Sequence, residues 1–264
     1  MNVTMALIQE LRQKTGVGIM DCKEALNVSN TLDDACIYLR EKGLAKAVKK
    51  SGRDATAGGV FIALNDDQSA GCIVKVNCET DFVSQNETFQ SFGAAIVQAA
   101  LAKNSAHVDD LMVNETPLPI AITDMVAKTG ENIQIDSLHH VSGRFVSGYT
   151  HMNGTIGVLV GFDQTIETAL GKDIAMQIAA ANPSYINRDD VPQSILDTER
   201  DLLKNQAIEN GKPEKIIEQI VNGLINKYYE ENCLLDQVFI KDPKIFIRDL
   251  LKETTVSAMY RLSL

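Results

Sequence analysis

The sequence has no Cys-x-x-Cys pair and no apolar run approaching the ~18 residues needed to cross a bilayer. Its five cysteines, Cys22, Cys36, Cys72, Cys78 and Cys233, are odd in number and irregularly spaced. That pattern argues for free thiols in a reducing compartment rather than a disulfide framework. Residues Met1 to Lys14 place Glu10 and Arg12 inside an amphipathic pattern and lack the basic start and unbroken apolar stretch of a secretory signal. A cytoplasmic protein without a membrane partner is expected.

Enzyme signatures are missing as well. There is no GxxxxGK[ST] phosphate loop, no GxGxxG after a predicted strand and no HExxH. The four histidines are His107, His139, His140 and His151. His139 and His140 are adjacent, so on a strand they point to opposite faces and do not share a metal. No nucleophile elbow supports a Ser-His-Asp triad. These absences favour a binding protein with no catalytic residues, no metal and no cofactor. A net charge of −10 also disfavours non-specific attraction to nucleic acid. One segment runs against that balance: Arg40, Lys42, Lys46, Lys49, Lys50 and Arg53 are crowded together. No aromatics are interleaved for base stacking, so a solvated helix face or a charged linker is preferred to an RNA site.

What is present reads as a mixed α+β chain. Residues 4–52 predict three helices, with Thr4 capping the first and Gly16 and Gly18 ending it. The second predicted helix, Ile19 to Val28, carries Ile19, Cys22, Ala25 and Leu26 on one face. Thr31 and Asp34 resemble a capping box for the third, which Gly43 is expected to interrupt. After residue 54 the pattern turns to strands, Val60 to Leu64 and Ala70 to Val76, then an alanine-rich helix from Glu87 to Lys103. A helix near 120–128 and a strand near 132–141 follow. A second strand–strand–helix order then appears: Arg144 to His151, Thr155 to Phe162 around Asn153-Gly154, and a helix from Ile166 to Ala181.

Two long helical patterns, Val191 to Asn210 and Pro213 to Tyr229, are joined by Gly211-Lys212-Pro213. They predict an antiparallel hairpin, whose second helix has an apolar stripe wide enough to serve either its own partner helix or another chain. A helix from Lys244 to Glu253 and a final strand from Val256 to Leu262, completing the second sheet, close the reading.

Two stretches carry a family resemblance. One is Leu11-Arg12-Gln13-Lys14-Thr15-Gly16-Val17-Gly18-Ile19-Met20-Asp21-Cys22-Lys23-Glu24-Ala25-Leu26. The other is Val76-Asn77-Cys78-Glu79-Thr80-Asp81-Phe82-Val83-Ser84. Together they closely resemble the two signature segments of the elongation factor Ts family, in the same order and at a similar separation. Further landmarks are Gly130-Glu131-Asn132, the Tyr149–Val158 segment, Asp173-Ile174-Ala175-Met176 and Gly211-Lys212-Pro213. The chain departs from the family's pattern at Lys75, Gln85, Thr129 and Thr155, which bears on individual contacts.

The resemblance implies a three-helix ubiquitin-associated-like module at 1–54, a core of two related α+β subdomains at 55–141 and 142–264, and a helical-hairpin dimerisation insert at 187–230. It implies a guanine-nucleotide exchange factor that binds elongation factor Tu, GDP-bound or nucleotide-free, and leaves a homodimer open. Thr80, Asp81, Phe82 and Val83 are the residues it implies for displacing nucleotide and magnesium, with Phe82 as an apolar wedge. Arg12, Ile19, Met20, Gly130 and His151 match partner contacts, and Ile217, Ile220 and Leu224 lie on the dimerisation stripe. Ordinary packing is the competing reading for Phe82 and Ile19, and an exposed hairpin histidine for His151. A ubiquitin-associated adaptor or an RNA-binding protein is the alternative for the whole chain.

Overall fold

The computed structural model describes residues 3–264, except the side chains of Leu44, Lys46 and Val48. The charge of Lys46, counted in the basic tract, therefore lies outside the described residues. Three helices open the chain: α1 (Met5–Thr15), α2 (Ile19–Val28) and α3 (Leu32–Lys50). The Thr4 hydroxyl accepts from the Leu7 N–H, and Gly16 ends α1 in the left-handed region at φ 69°. Thr31 and Asp34 form the expected capping box. Leu11, Cys22, Ala25, Leu26 and Ala35 close the module's core with no exposed surface.

Two expectations fail here. Ile19 does not share the buried face; it is 46% exposed. Helical side chains lean back over the preceding turn, and the first residue of α2 has none to lie on. Gly43 does not break α3, which runs through it. An added Cβ at Gly43 would come within 3.3 Å of the Ala127 Cβ, so the glycine lets α3 lie close against the later helix α6 (Leu118–Thr129). The cost of an interior glycine is accepted for that approach.

The body of the protein holds two three-stranded antiparallel sheets. The first has order β1 (Ala57–Leu64), β2 (Ala70–Cys78), β5 (Gln134–Ser142). Between β2 and β5 run the short α4 (Asp81–Ser84), α5 (Glu87–Lys103), a small hairpin of β3 (Met112–Val113) and β4 (Thr116–Pro117), and α6. The second sheet has order β10 (Val256–Ser263), β7 (Ile156–Phe162), β6 (Phe145–His151), with α7 (Thr168–Ala181) after β7.

Strand alternation explains the layering. Cys72, Val74 and Val76 face Phe89, Phe92 and Ile96 of α5, whereas Ile73 between them joins Val60, Val141, Val146 and Leu159 in the seam between the sheets. Likewise Val158, Val160 and Phe162 pack on Ile174 and Ile178 of α7. The sheets approach closely because glycines line the seam: a Cβ at Gly157 would lie 2.4 Å from Val60 Cγ1.

The remaining helices, α8 (Gln193–Glu209) and α9 (Glu214–Asn232), pack on each other through Ala207, Ile217, Val221 and Ile225. Buried Asp236 anchors their base, accepting from Arg188 Nη2 at 2.8 Å and Arg248 Nη1 at 2.9 Å. The helix expected over Lys244–Glu253 shrinks to α10 (Ile247–Leu251), because Asp242–Phe246 forms β9 against β8 (Val238–Phe239). Lys252, at φ 54°, ends α10 and turns the chain into β10, which completes the second sheet. Among the described residues no helix is long and apolar enough to cross a membrane.

Candidate partner-binding site

The connection from β2 to α5 is a tight turn that pushes an aromatic ring into solvent. Phe82 is 85% exposed, the highest exposure among the described large apolar residues. Leaving a phenylalanine in water forgoes about 1.5–3 kcal/mol of burial, so this placement is not a packing solution. The turn that holds it is firmly built. Thr80 caps α4, its hydroxyl accepting from the Val83 N–H at 3.4 Å. The Ser84 hydroxyl donates to the Asp81 carbonyl at 2.9 Å, and Gln90 Nε2 donates to the Ser84 carbonyl at 2.6 Å. Val83 faces inward against the first sheet's core while Asp81 and Phe82 face out.

A second segment braces this turn from below. Gly130, in the left-handed region at φ 76°, ends α6 and aims Glu131 at the turn. The Glu131 carboxylate accepts from the Glu79 N–H at 3.1 Å, the Thr80 N–H at 3.0 Å and the Thr80 hydroxyl at 2.6 Å. In return Glu79 accepts from the Asn132 N–H at 2.7 Å. Sequence reasoning took Gly130 from this segment and missed Glu131. The only signal for it was its place in the Gly130-Glu131-Asn132 landmark, because its partners lie about fifty residues away. Beneath, Cys78 Sγ donates to the Thr80 carbonyl at 3.2 Å. Burial, helped by nearby Glu131, pushes the Cys78 thiol up to about 11, so it stays a neutral donor at neutral pH.

The basic tract is partly absorbed into this region. Lys50 Nζ donates to the Gly130 carbonyl, and Arg53 pairs with Glu79 at 3.5 Å. Asn132 Nδ2 donates to the Arg53 carbonyl at 2.8 Å. Lys42 instead bridges within the first module, to Asp21 at 3.1 Å and Glu24 at 2.6 Å. Neither a purely solvated face nor a free linker describes these residues.

Comparison with known proteins places the chain. The family model described as Elongation factor TS matches residues 79–264. An elongation factor Ts of Halothermothrix orenii is 41% identical, over 96% of this chain and 88% of its own length. One of Clostridium acetobutylicum is 43% identical, over 94% and 85% respectively. Another, of Clostridium novyi, is 40% identical over 95% and 86%. The chain belongs to the elongation factor Ts family.

In this elongation factor Ts chain the other candidate residues fall in three places. Arg12 and Met20 are exposed on the first module, where Met20 and Ile19 form an apolar pair 74% and 46% exposed. Gly130 is exposed beside the Phe82 turn, so the structure brings those two together. His151 is on the second sheet, exposed at the end of β6, with Nδ1 3.0 Å from the Tyr149 hydroxyl. Its turn is not the two-residue type that Asn153-Gly154 suggests: the connection from His151 to Ile156 is longer, and Met152, Asn153 and Gly154 all have positive φ.

On α9 the stripe divides. Ile217 is buried against α8, Ile220 is half-buried and Leu224 is 38% exposed. All five cysteines are free thiols and four are buried. His139 stacks on Tyr260 at 4.1 Å, and burial lowers its pKa. Among the described residues no cluster of three His, Cys, Asp or Glu side chains is placed to hold a metal.

Proposed function

We propose that the chain is a guanine-nucleotide exchange factor: it binds elongation factor Tu, promotes loss of GDP and lets GTP reload. The observation that carries this reading is the 85% exposed Phe82 on a braced turn, within the segment of family resemblance. An exposed aromatic on a rigid support suits insertion into an apolar cleft of another protein, because little order must be gained on binding. Phe82 enters between helices of the partner's GTP-binding domain, and Asp81 disturbs polar groups beside the magnesium site. Thr80 and Val83 hold the turn.

No covalent step is needed. The factor binds nucleotide-free partner more tightly than nucleotide-bound partner, and by linkage it weakens nucleotide by the same ratio. Each tenfold weakening requires about 1.4 kcal/mol of differential binding. Arg12, Ile19 and Met20 form a second contact on the GTP-binding domain. Gly130 extends the first contact, and His151 reaches another domain of the partner.

The same reading divides the chain into a ubiquitin-associated-like module at 1–54, related subdomains at 55–141 and 142–264, and a dimerising hairpin at 187–230. Exposed Leu224 is the strongest candidate for a dimer contact, and Ile217 supports it from within the pair. Release of a fluorescent GDP analogue from elongation factor Tu, followed at rising concentrations of the chain, tests the function. Acceleration that saturates is expected, and no acceleration rejects the reading. For the hairpin, Leu224→Glu should lower the mass measured by sedimentation with little change in thermal midpoint. Ile217→Glu should lower the midpoint itself by several degrees, since it buries a charge.

A further inference from the structure

From the geometry we infer that Glu131 is a positioning residue for exchange, acting through Phe82 without touching the partner; this rests on the function proposed above. Three donors of the turn converge on this one carboxylate: the Glu79 N–H, the Thr80 N–H and the Thr80 hydroxyl, at 3.1, 3.0 and 2.6 Å. Bonds to an ionised acceptor are about twice as strong as neutral ones. Both backbone donors lie just before α4, where they have no helical partner of their own. The Thr80 hydroxyl does two tasks, donating to Glu131 and accepting from Val83 N–H, so Glu131 also fixes the orientation of the α4 cap.

Phe82 itself has almost no contact of its own to hold it, because most of its surface is in solvent. Its direction is set by the backbone of residues 79–83, and that backbone is set by Glu131. The brace is doubled by Glu79 accepting from Asn132 N–H, and anchored behind by Lys50 on the Gly130 carbonyl and Arg53 on Glu79. A wedge must arrive in one orientation to be effective, and misplacement by about 1 Å can cost on the order of 100-fold in rate. Removing the carboxylate leaves the turn with two unpaired backbone donors and a wedge that samples several directions.

The test is release of a fluorescent GDP analogue from elongation factor Tu, with full-length Glu131→Ala, Glu131→Gln, Phe82→Ala and the Phe82→Ala/Glu131→Ala double variant. Glu131→Ala should lower the maximal release rate on the order of tenfold, with less than about threefold change in half-saturating concentration. Glu131→Gln keeps an oxygen acceptor for the backbone N–H groups and should retain most of the rate, which guards against a folding defect being read as a positioning one. On the Phe82→Ala background Glu131→Ala should change the rate by less than about twofold, because residues acting as a unit are non-additive. Glu131→Ala with an unaltered maximal rate would overturn the inference, as would a full tenfold loss in the double variant relative to Phe82→Ala. If the unaltered chain gives no acceleration at all, the exchange reading fails and the positioning role falls with it.

Discussion

The two sheets use the same sequence of parts and make different things of one connection. In each, a hairpin is followed by a helix and a third strand returns beside the hairpin's second strand. In each, a helix ends at a residue of positive φ just before that third strand: Gly130 before β5 and Lys252 before β10. The connection after the second strand is tied to that returning segment in both. In the second sheet Asp163 accepts from the Thr255 N–H at 2.8 Å, and Gln164 donates to the Glu253 carbonyl at 3.2 Å. Its apolar residue, Ile166, turns inward onto the core of the second sheet. The first sheet has the matching bond, Glu79 accepting from the Asn132 N–H at 2.7 Å, and adds a second carboxylate from the other side of the gap, Glu131, while its apolar residue, Phe82, turns outward. The shared plan makes the outward Phe82 the clearest departure between the two connections, and the proposed function gives that departure its reason.

That contrast can be broken at three points. Phe82→Ala should slow stimulated GDP release by about 100-fold, the scale of a central interface residue, while the thermal midpoint moves by less than about 2 °C. A midpoint loss as large as that of a core truncation would return Phe82 to the packing role that its residue type suggests. Ile166→Ala should do the reverse, lowering stability in denaturant unfolding by about 1–2 kcal/mol and leaving exchange within about twofold.

The smallest effect is at Asp163, whose hydrogen bond from Thr255 holds its carboxyl below the usual aspartate value. A depressed folded-state pKa contributes stability above the unfolded value and loses it as pH falls through the folded one. A small stability gap between the unaltered chain and Asp163→Asn should therefore be present at neutral pH and close below about pH 4. Thermal midpoints across that range would show it, and a gap that persists at low pH would remove the charge from the explanation.

Much of the helical framework is legible in the sequence. Hydrophobic period and capping residues placed α1, α2 and α5 within a residue, because those signals are local. The Thr80–Val83 turn was legible through its family resemblance rather than its chemistry, since a lone phenylalanine after a strand is ordinarily buried. What failed depended on distant partners. Gly43 looks like a helix breaker until Ala127 is set against it. Glu131 looks like a surface carboxylate until Glu79 and Thr80 come within reach. Lys244–Phe246 looks helical until Val238 offers a strand to pair with. In each case a tertiary contact outweighs the local signal.

The close contact at Gly43 bears on how deletion experiments on this chain would be interpreted. Cutting the chain at residue 54 removes three helices that carry Arg12, Ile19 and Met20. The same cut also takes Lys50 from the Gly130 carbonyl, Arg53 from Glu79, and the whole flank of α3 from α6. On the proposed reading, a truncated chain with poor exchange has lost both a docking surface and the support of the Phe82 turn. Point changes at Met20 and at Lys50, made separately in the intact chain, would apportion the deficit between them.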